Sequence, residues 1–361
     1  MADPKIDVRK GMPSVQIDRA EFSRRYRARF YDPVFDALSA EIARLEEAAW
    51  DAYDKYRKTP RTRPAGAGFA DPTYEVAIEW LETRRAIQEA ERRQKDPGSP
   101  SRILLVNASA RSDQTCPGEI SKTFRLATLA RQAIEKVAGF EVDFLDLSAL
   151  TAERGRVIYP CKACVSTAQP LCHWPCSCYP NHALGQEGDW MAELYPRWAA
   201  AHGVMVVTPV NWYQAPSVLK LMIDRLVCAD GGNPDQTSTH GKDPVRAKAL
   251  EFAGWPYPKH LAGRVFAVVV HGDAAGVENL RRILVDWLTD IGLIQAARQA
   301  VVGAYLGYYR PYATSHADLD EDTDLQAETV NAALALVEAV KLNRAGALKQ
   351  PDANLHDSRE K

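Results

Sequence analysis

The sequence predicts an α/β fold, in which a five-stranded parallel sheet is wound on both faces by helices and preceded by a helical extension. Three observations carry the prediction. From residue 102 onward, short runs rich in β-branched residues alternate with amphipathic helical patterns. These runs are continuously apolar, as expected when helices cover both faces of a parallel sheet. A polar stretch rich in Pro and Gly, residues 94–101, separates them from the charged helical sequence before it.

Five strands are predicted, and a helix is predicted after each of them. The strands are Ile103–Ala108, Glu141–Leu145, Val204–Pro209, Val265–His271 and Ala300–Leu306. The helices are about Lys122–Val137, Asp189–His202, Pro216–Val227, Val277–Gly292 and Leu325–Val340. The simplest arrangement of these elements is a doubly wound, flavodoxin-like sheet with strand order 2-1-3-4-5.

Residues 1–100 are predicted to form a helical arm and a linker. Helices are expected to start at Asp32-Pro33 and at Asp71-Pro72, because Pro is favoured at the first helical position. Two amphipathic helices alone bury little surface. We therefore expect the arm to pack on the main domain or on a partner subunit, and it is a candidate for exchange between subunits.

Residues 101–343 are the predicted flavodoxin-like domain. Two of its connections are longer than a minimal domain needs, and loops of that length usually carry function or bind a partner. They are a cysteine-rich loop, residues 148–188, and a second long loop, residues 229–263. Residues 344–361 are predicted to be a polar tail.

Composition excludes several classes of protein. The 361 residues include 25% charged residues and carry a formal net charge of −2, which argues against disorder and against nucleic-acid binding through bulk charge. No apolar run approaches the ~20 residues of a membrane span. The first residues lack the apolar core of a secretory signal. We expect a cytoplasmic protein with reduced thiols, and neither a membrane nor a nucleic acid as its partner.

The segment after the first strand offers an anion site. In a doubly wound sheet the ligand binds beyond the carboxyl ends of the strands. Here hydroxyls and cations lie beside the start of a helix, whose N–H groups favour an anion of phosphate size. The simpler interpretation is a helix-capping serine in a polar loop. The candidate residues are Ser109, Arg111, Ser121, Lys122 and Thr123.

Two further segments follow the third and fourth strands. The first holds adjacent aromatic residues near two prolines, which suits a flat heteroaromatic ring, although core or surface aromatics are the simpler alternative. It contains Pro209, Val210, Asn211, Trp212 and Tyr213. The second has glycines that let the backbone approach a ligand. It contains His271, Gly272 and Asp273, and the histidine could equally be a satisfied loop residue.

These three segments together resemble the NADPH-dependent FMN reductases of the flavodoxin-like superfamily. TPVNWYQAPSVLKLMIDRL is similar to their T-P-x-Y/N-W segment and K-x-x-I-D-R helix. NASARS, followed by SKTFRLA, stands where they have a phosphate loop, and HGDAAG stands where they have a third flavin-facing loop. In the first loop Asn107-Ala108 replaces their usual glycine, and TCPGEI is inserted before Ser121. The resemblance covers about residues 102–341.

The resemblance implies a function. FMN takes hydride from NAD(P)H and reduces a small acceptor such as a quinone, a flavin or a metal ion. The chemistry belongs to the flavin N5, so no catalytic side chain is expected, and the three segments bind the cofactor. A homodimer or homotetramer is implied. Two alternatives remain: an FMN and iron–sulfur electron carrier that accepts electrons from a protein partner, and a non-catalytic scaffold whose arm binds a partner.

Five of the seven cysteines are crowded into one loop with the spacing C-x2-C-x7-C-x3-C-x-C. They are Cys161, Cys164, Cys172, Cys176 and Cys178. Closely spaced thiolates suit zinc or an iron–sulfur cluster, such as a 4Fe–4S cluster. The position resembles that of the cysteine motif in iron–sulfur flavoproteins, although their spacing is C-x2-C-x2-C. Reduced structural thiols are the third interpretation, and zinc could also use His173 or His182.

Overall fold

The computed structural model describes residues 6–115 and 118–349. Cys116 and most of the predicted tail, residues 344–361, therefore lie outside the described residues. The helices are α1 (Arg19–Arg27), α2 (Ser39–Asp54), α3 (Ile78–Lys95), α4 (Lys122–Glu135), α5 (Ala149–Ala152), α6 (Met191–Ala200), α7 (Ser217–Arg225), α8 (Pro244–Phe252), α9 (Val277–Asp290), α10 (Ser315–Glu321) and α11 (Thr323–Arg344). The strands are β1 (Thr62–Pro64), β2 (Glu75–Ala77), β3 (Ser101–Asn107), β4 (Phe140–Asp146), β5 (Gly203–Pro209), β6 (Val265–Gly272), β7 (Ile294–Gln295) and β8 (Val301–Tyr305).

The described residues fall into two compact units. We name them the arm unit and the sheet unit. The arm unit comprises residues 6–84, 161–190 and 231–257, and the sheet unit comprises residues 85–115, 118–160, 191–230 and 258–349. The sequence instead suggested that both long loops belong to the flavodoxin-like domain. In the structure most of each loop groups with the residues of the arm.

The sheet unit is built on a parallel sheet of order β4-β3-β5-β6-β8. This confirms the predicted flavodoxin-like order 2-1-3-4-5. The five predicted strands and the five predicted helices agree with the observed elements to within a few residues at each end. One detail differs: β6 also pairs with the two-residue strand β7, because a short 3-10 turn at Arg298–Ala300 divides the last strand region in two.

Both faces of this sheet are covered, which explains the continuously apolar strands. Successive residues of a strand point to opposite faces, yet Leu104 and Leu105 of β3 are both fully buried. Strand β6 is buried along its whole length. One large apolar cluster includes Leu105, Leu126 of α4 and Leu336 of α11.

The arm unit agrees less well with the sequence prediction. Asp32 does cap a helix, since its carboxylate accepts from Val34 N at 3.0 Å, but Pro33–Leu38 is a 3-10 helix and α2 begins only afterwards. The helix predicted to start at Asp71-Pro72 begins at Ile78, because residues 75–77 pair with residues 62–64 as strands β2 and β1. Helices α1 and α8 were not predicted.

Hydrogen bonds show why the two long loops group with the arm. Trp80 Nε1 donates to Pro175 O at 2.7 Å, and Asp71 N donates to Thr237 Oγ1 at 3.0 Å. The side chains of Val76 and Trp80 are almost completely buried within this unit. None of the described helices has the length and apolar character needed to cross a lipid bilayer.

Candidate functional site

A cavity of about 660 Å³ lies in the sheet unit beyond the ends of β3, β5 and β6. These three strands are neighbours and parallel, so the loops that follow them converge at one edge of the sheet. The volume is ordinary for a small-molecule site. All thirteen residues that the sequence proposed for cofactor binding line this cavity: Ser109, Arg111, Ser121, Lys122, Thr123, Pro209, Val210, Asn211, Trp212, Tyr213, His271, Gly272 and Asp273.

The first loop leads to the N-terminus of α4. The Ser121 hydroxyl caps this helix by accepting from Phe124 N at 3.0 Å, so the simpler role foreseen for a serine here is present. The Ser109 hydroxyl accepts from Arg111 N at 3.1 Å. A hydroxyl that accepts one hydrogen bond keeps a proton to donate, so capping is compatible with binding an anion at the helix start.

The second loop is a tight turn with an unusual backbone. Asn211 and Gln214 exchange two backbone hydrogen bonds of 3.0 Å, which places Trp212 and Tyr213 at the centre of the turn. Both aromatic residues have a backbone in the left-handed region, with φ of 48° and 66°. Turns of this kind normally carry Asn-Gly, and bulky residues there cost free energy. Trp212 is nevertheless 94% exposed, so the core does not hold it in place.

The third loop contributes a buried histidine. His271 Nε2 lies 2.9 Å from Thr123 Oγ1, so these two predicted site residues are hydrogen-bonded to each other. Burial, and secondarily the charge of Lys122, lower the pKa of His271 to about 3. The imidazole is therefore neutral at physiological pH.

Charge and close packing join the three loops. Lys122 Nζ lies 3.6 Å from Asp273 Oδ2, so the cation at the head of α4 already has a carboxylate neighbour. Gly276 has φ of +120°, and a Cβ there would lie 3.0 Å from Tyr213 Cα. A glycine is required for the third loop to pack this closely against the aromatic turn.

Eight residues lining the cavity were not proposed from the sequence: Ala110, Glu119, Ile120, Ala274, Ala275, Tyr312, Ser315 and His316. Most of them flank the proposed loops. Tyr312, Ser315 and His316 come instead from the connection before α10 and from that helix, which was not predicted from the sequence. His316 is held by Arg125, whose Nη1 lies 3.2 Å from its Nδ1.

The donors at this site suit a flavin mononucleotide. Two serine hydroxyls, a lysine and a helix N-terminus can take a phosphate. The exposed Trp212 and Tyr213 can take a flat ring. Both sets line the same cavity, as a cofactor with a phosphate at one end and an aromatic ring at the other requires.

The predicted metal ligands lie in the arm unit. None of the six described cysteines is in a disulfide. Cys164 and Cys178 are 3.3 Å apart between sulfurs. The hydrogen bond with Cys178 is the main cause that lowers the pKa of Cys164 to about 6, despite burial, and Lys242 adds to it. Within the described residues, no three His, Cys, Asp or Glu side chains are grouped as ligands for a metal ion.

The two histidines considered for zinc have other partners. His173 is fully buried, with Nδ1 against the Ser177 hydroxyl and Nε2 2.9 Å from Thr239 Oγ1. His182 Nδ1 lies 3.2 Å from a carboxylate oxygen of Glu187. In this arrangement both ring nitrogens of His173 are engaged within the protein. A zinc or iron–sulfur site on the cysteine loop stays a prediction.

One protein family and several solved structures are similar to this chain. The family described as NADPH-dependent FMN reductase matches residues 101–306. The solved structure of RosB with its bound intermediate OHC-RP is similar over 69% of this chain and 82% of that chain, at 14% identity and a TM-score of 0.47. A flavone reductase is similar over 70% of this chain and 67% of that chain, at 17% identity and a TM-score of 0.40.

An NADH:FMN oxidoreductase in its apo form is similar over 70% of this chain and 92% of that chain, at 15% identity and a TM-score of 0.35. No curated protein sequence matches this chain. The family match spans more than half of the 361 residues and agrees with the resemblance found in the sequence motifs. The chain belongs to the NADPH-dependent FMN reductase family.

Proposed function

We propose that the sheet-unit cavity binds FMN and that the protein is a flavin-dependent NAD(P)H oxidoreductase. Its acceptor is a small molecule such as a quinone, a flavin or a metal ion. Membership of the family supports the class of cofactor. The observation that carries the proposal is the left-handed Trp212–Tyr213 turn, which shares one cavity with the capped N-terminus of α4. Costly backbone of this kind persists where a ligand needs it.

The phosphate is assigned to the first loop. Ser109 and Ser121 donate their hydroxyl protons, and the N-terminus of α4 and Lys122 supply positive potential. Thr123 supports the site indirectly, because its hydroxyl is 2.9 Å from His271 Nε2. Arg111 lines the same cavity and adds a second cation.

The ring is assigned to the second and third loops. Pro209 to Tyr213 and His271 to Asp273 all line the cavity. When bound, the flavin supplies hydride acceptance and electron transfer, which no side chain can supply. The neutral, buried His271 holds Thr123 and is assigned no proton transfer.

The test is the spectrum and the turnover of the purified protein. We expect a yellow protein that retains FMN, binds added FMN when stripped, and is reduced rapidly by NADH or NADPH without oxygen. Slow reduction by both nucleotides, with fast exchange from a reduced ferredoxin, would instead support the electron-carrier alternative. A colourless protein that gains no spectrum with FMN would contradict the proposal and favour the scaffold alternative.

Two further expectations belong to this proposal. We propose a homodimer or homotetramer in the cytoplasm, with residues 32–95 as the candidate segment for exchange between subunits. Size-exclusion chromatography with light scattering, on the full chain and on a chain that starts near Ser101, tests the assembly. An unchanged assembly state would contradict the role of the arm.

A further inference from the structure

The arm unit has a cavity of its own, of about 340 Å³. Two lysines line it, Lys58 and Lys242, together with Ser177 and Tyr179, the two neighbours of Cys178 in the chain. The Lys58 ammonium donates to Ser177 O, and the Lys242 ammonium donates to Leu171 O at 2.5 Å. Both lysines of the cavity are therefore hydrogen-bonded to the backbone of the cysteine-rich loop.

These lysines are partly buried cations without carboxylate partners. Among the described residues, neither Lys58 nor Lys242 forms an ion pair with Asp or Glu, although many other lysines and arginines do. Cysteine sulfurs are nearby instead, since the charge of Lys242 interacts with Cys178 and Cys164. Glu75 also lines the cavity, so two lysines stand against one carboxylate there, and this excess of positive charge favours an anionic ligand.

The sulfurs of Cys164 and Cys178 are already in contact at 3.3 Å. A disulfide needs about 2.05 Å between sulfurs, so closure requires a shift of little more than an ångström. Cys178 is buried and Cys164 is partly exposed. This difference assigns the attacking role to Cys164 and the resolving role to Cys178.

We propose that Cys164 and Cys178 form a reversible dithiol–disulfide pair that exchanges with small disulfides bearing carboxylate groups. The Cys164 thiolate attacks one sulfur of the disulfide, whose S–S bond breaks and releases one thiolate, which takes up a proton. Cys178 then loses its proton to solvent and attacks Cys164 Sγ, releasing the second thiolate. The protein is oxidised by two electrons, the small disulfide is reduced to two thiols, and thiols in excess reverse the reaction. Lys58 and Lys242 attract the carboxylates.

The first test maps the thiols of the full-length protein. The protein is reduced, desalted without oxygen and equilibrated in glutathione buffers of increasing oxidised fraction. Differential alkylation with peptide mass spectrometry should show a Cys164–Cys178 disulfide, with loss of two hydrogens, while Cys228 stays alkylated as a thiol. A different pairing, or no pairing in oxidised glutathione alone, would overturn the proposal. So would stoichiometric iron or zinc that protects these cysteines from alkylation.

The second test examines the lysines through reaction rates. Oxidised glutathione should oxidise the pair at least about fivefold faster than neutral 2-hydroxyethyl disulfide, after correction for their rates with a free thiol. Lys242→Met should remove this preference. Lys162→Met is the matched control, because Lys162 lies on the cysteine-rich loop, over the Tyr179 ring, but does not line the cavity. Equal rates for both disulfides in the unaltered protein would contradict the carboxylate specificity. Circular dichroism checks folding, and thiol mapping of the unaltered protein needs no variant.

Discussion

The two cavities of this chain are built in opposite ways. The sheet-unit cavity is lined mainly by short loops that follow neighbouring parallel strands. The arm-unit cavity is lined by residues from separate stretches around positions 58–62, 74–80, 177–180 and 236–242, most of them outside long helices or strands. The first follows from a topology and the second from the packing of irregular segments. Strand order therefore predicts the first kind of site and gives no information on the second.

The charges of the two cavities differ as well. In the sheet unit Lys122 faces Asp273 at 3.6 Å, which offsets part of its charge. In the arm unit burial lowers the pKa of Lys58, whereas for Lys242 the opposing effect of burial is outweighed by Cys178 and Cys164, which raise its pKa. The pKa values of the two lysines thus shift in opposite directions, because the cysteine sulfurs outweigh burial only at Lys242. Lys122, whose charge is partly neutralised by Asp273, suits reversible phosphate binding, and Lys242, which is near cysteine sulfurs, suits thiol chemistry.

The largest expected effect comes from a substitution that disrupts the sheet-unit cavity and leaves the arm-unit cavity unaltered. Gly276→Ala should lower the free energy of unfolding by about 3 kcal/mol and abolish most FMN binding. The reason is twofold: φ of +120° is unfavourable for alanine, and the new Cβ would lie 3.0 Å from Tyr213 Cα. Urea unfolding and flavin fluorescence titration measure the two effects.

The matched control is Gly263→Ala in the same unit. Gly263 also has a positive φ, +81°, but nothing lies within 4 Å of an added Cβ. Gly263→Ala should lower the free energy of unfolding by only about 1 kcal/mol and leave FMN affinity unchanged. Equal losses in both variants would show that the contact with the aromatic turn is unimportant.

A second prediction concerns acid stability. Because the pKa of His271 is about 3 in the folded protein and ~6.5 when unfolded, the unfolded chain binds more protons between these values. The contribution of neutral His271 to the free energy of unfolding is complete well above pH 6.5 and is lost as the pH falls toward 3. The loss amounts to about 2.3 kcal/mol between pH 6.5 and 4.5.

Urea unfolding at pH 7, 6 and 5 of the unaltered protein and of His271→Gln measures this contribution. Other buried histidines also titrate, since burial lowers the pKa of His202 to about 4, so the difference between the two slopes is the quantity of interest. The slope, averaged between pH 7 and 5, should be shallower in the variant by about 1 kcal/mol per pH unit. Identical slopes would mean that His271 does not change its protonation on unfolding.

The two cavities also differ in how far the sequence could predict them. Apolar strands such as residues 203–209 can be recognised locally, and their shared direction brings Ser109, Trp212 and Gly272 to one edge of the sheet. The left-handed backbone at Trp212 could not be predicted, because neither its residue type nor its neighbours favour positive φ.

The arm was harder to predict because tertiary contacts decide its elements. Asp71-Pro72 is a good helix start, but residues 75–77 pair with residues 62–64 as strands, and this pairing overrides the local preference for helix. Leu45 of α2 is 56% exposed, so an apolar residue in an amphipathic helix of the arm is not necessarily buried. The association of Lys58 with Lys242 spans most of the arm unit in sequence, and no local pattern encodes it.

A third prediction tests whether the strain at the aromatic turn serves a ligand. Trp212→Gly should raise the free energy of unfolding by about 1 kcal/mol, because glycine adopts φ of 48° without strain. It should also weaken FMN binding about tenfold through loss of ring contact. Thermal unfolding without flavin and fluorescence titration measure the two effects.

Tyr309→Gly provides the comparison for this third prediction. Tyr309 is also left-handed, with φ of 55°, and 72% exposed, but it does not line the cavity. This variant should be stabilised without a change in FMN affinity. If Trp212→Gly were destabilising, the aromatic turn would be a structural feature and not a ligand-binding one.

The smallest effect bears on the charge difference between the two cavities. Asp273→Asn should raise FMN affinity by about threefold, because Lys122, 3.6 Å from the carboxylate, would then be fully available to the phosphate. The gain should shrink as salt rises and vanish with riboflavin, which lacks the phosphate. Lys122→Met should weaken FMN binding and leave riboflavin binding unchanged. If Asp273→Asn strengthened riboflavin and FMN equally, the carboxylate would act on the ring. The charge at the head of α4 would then not be what distinguishes this cavity from the lysine pair of the arm unit.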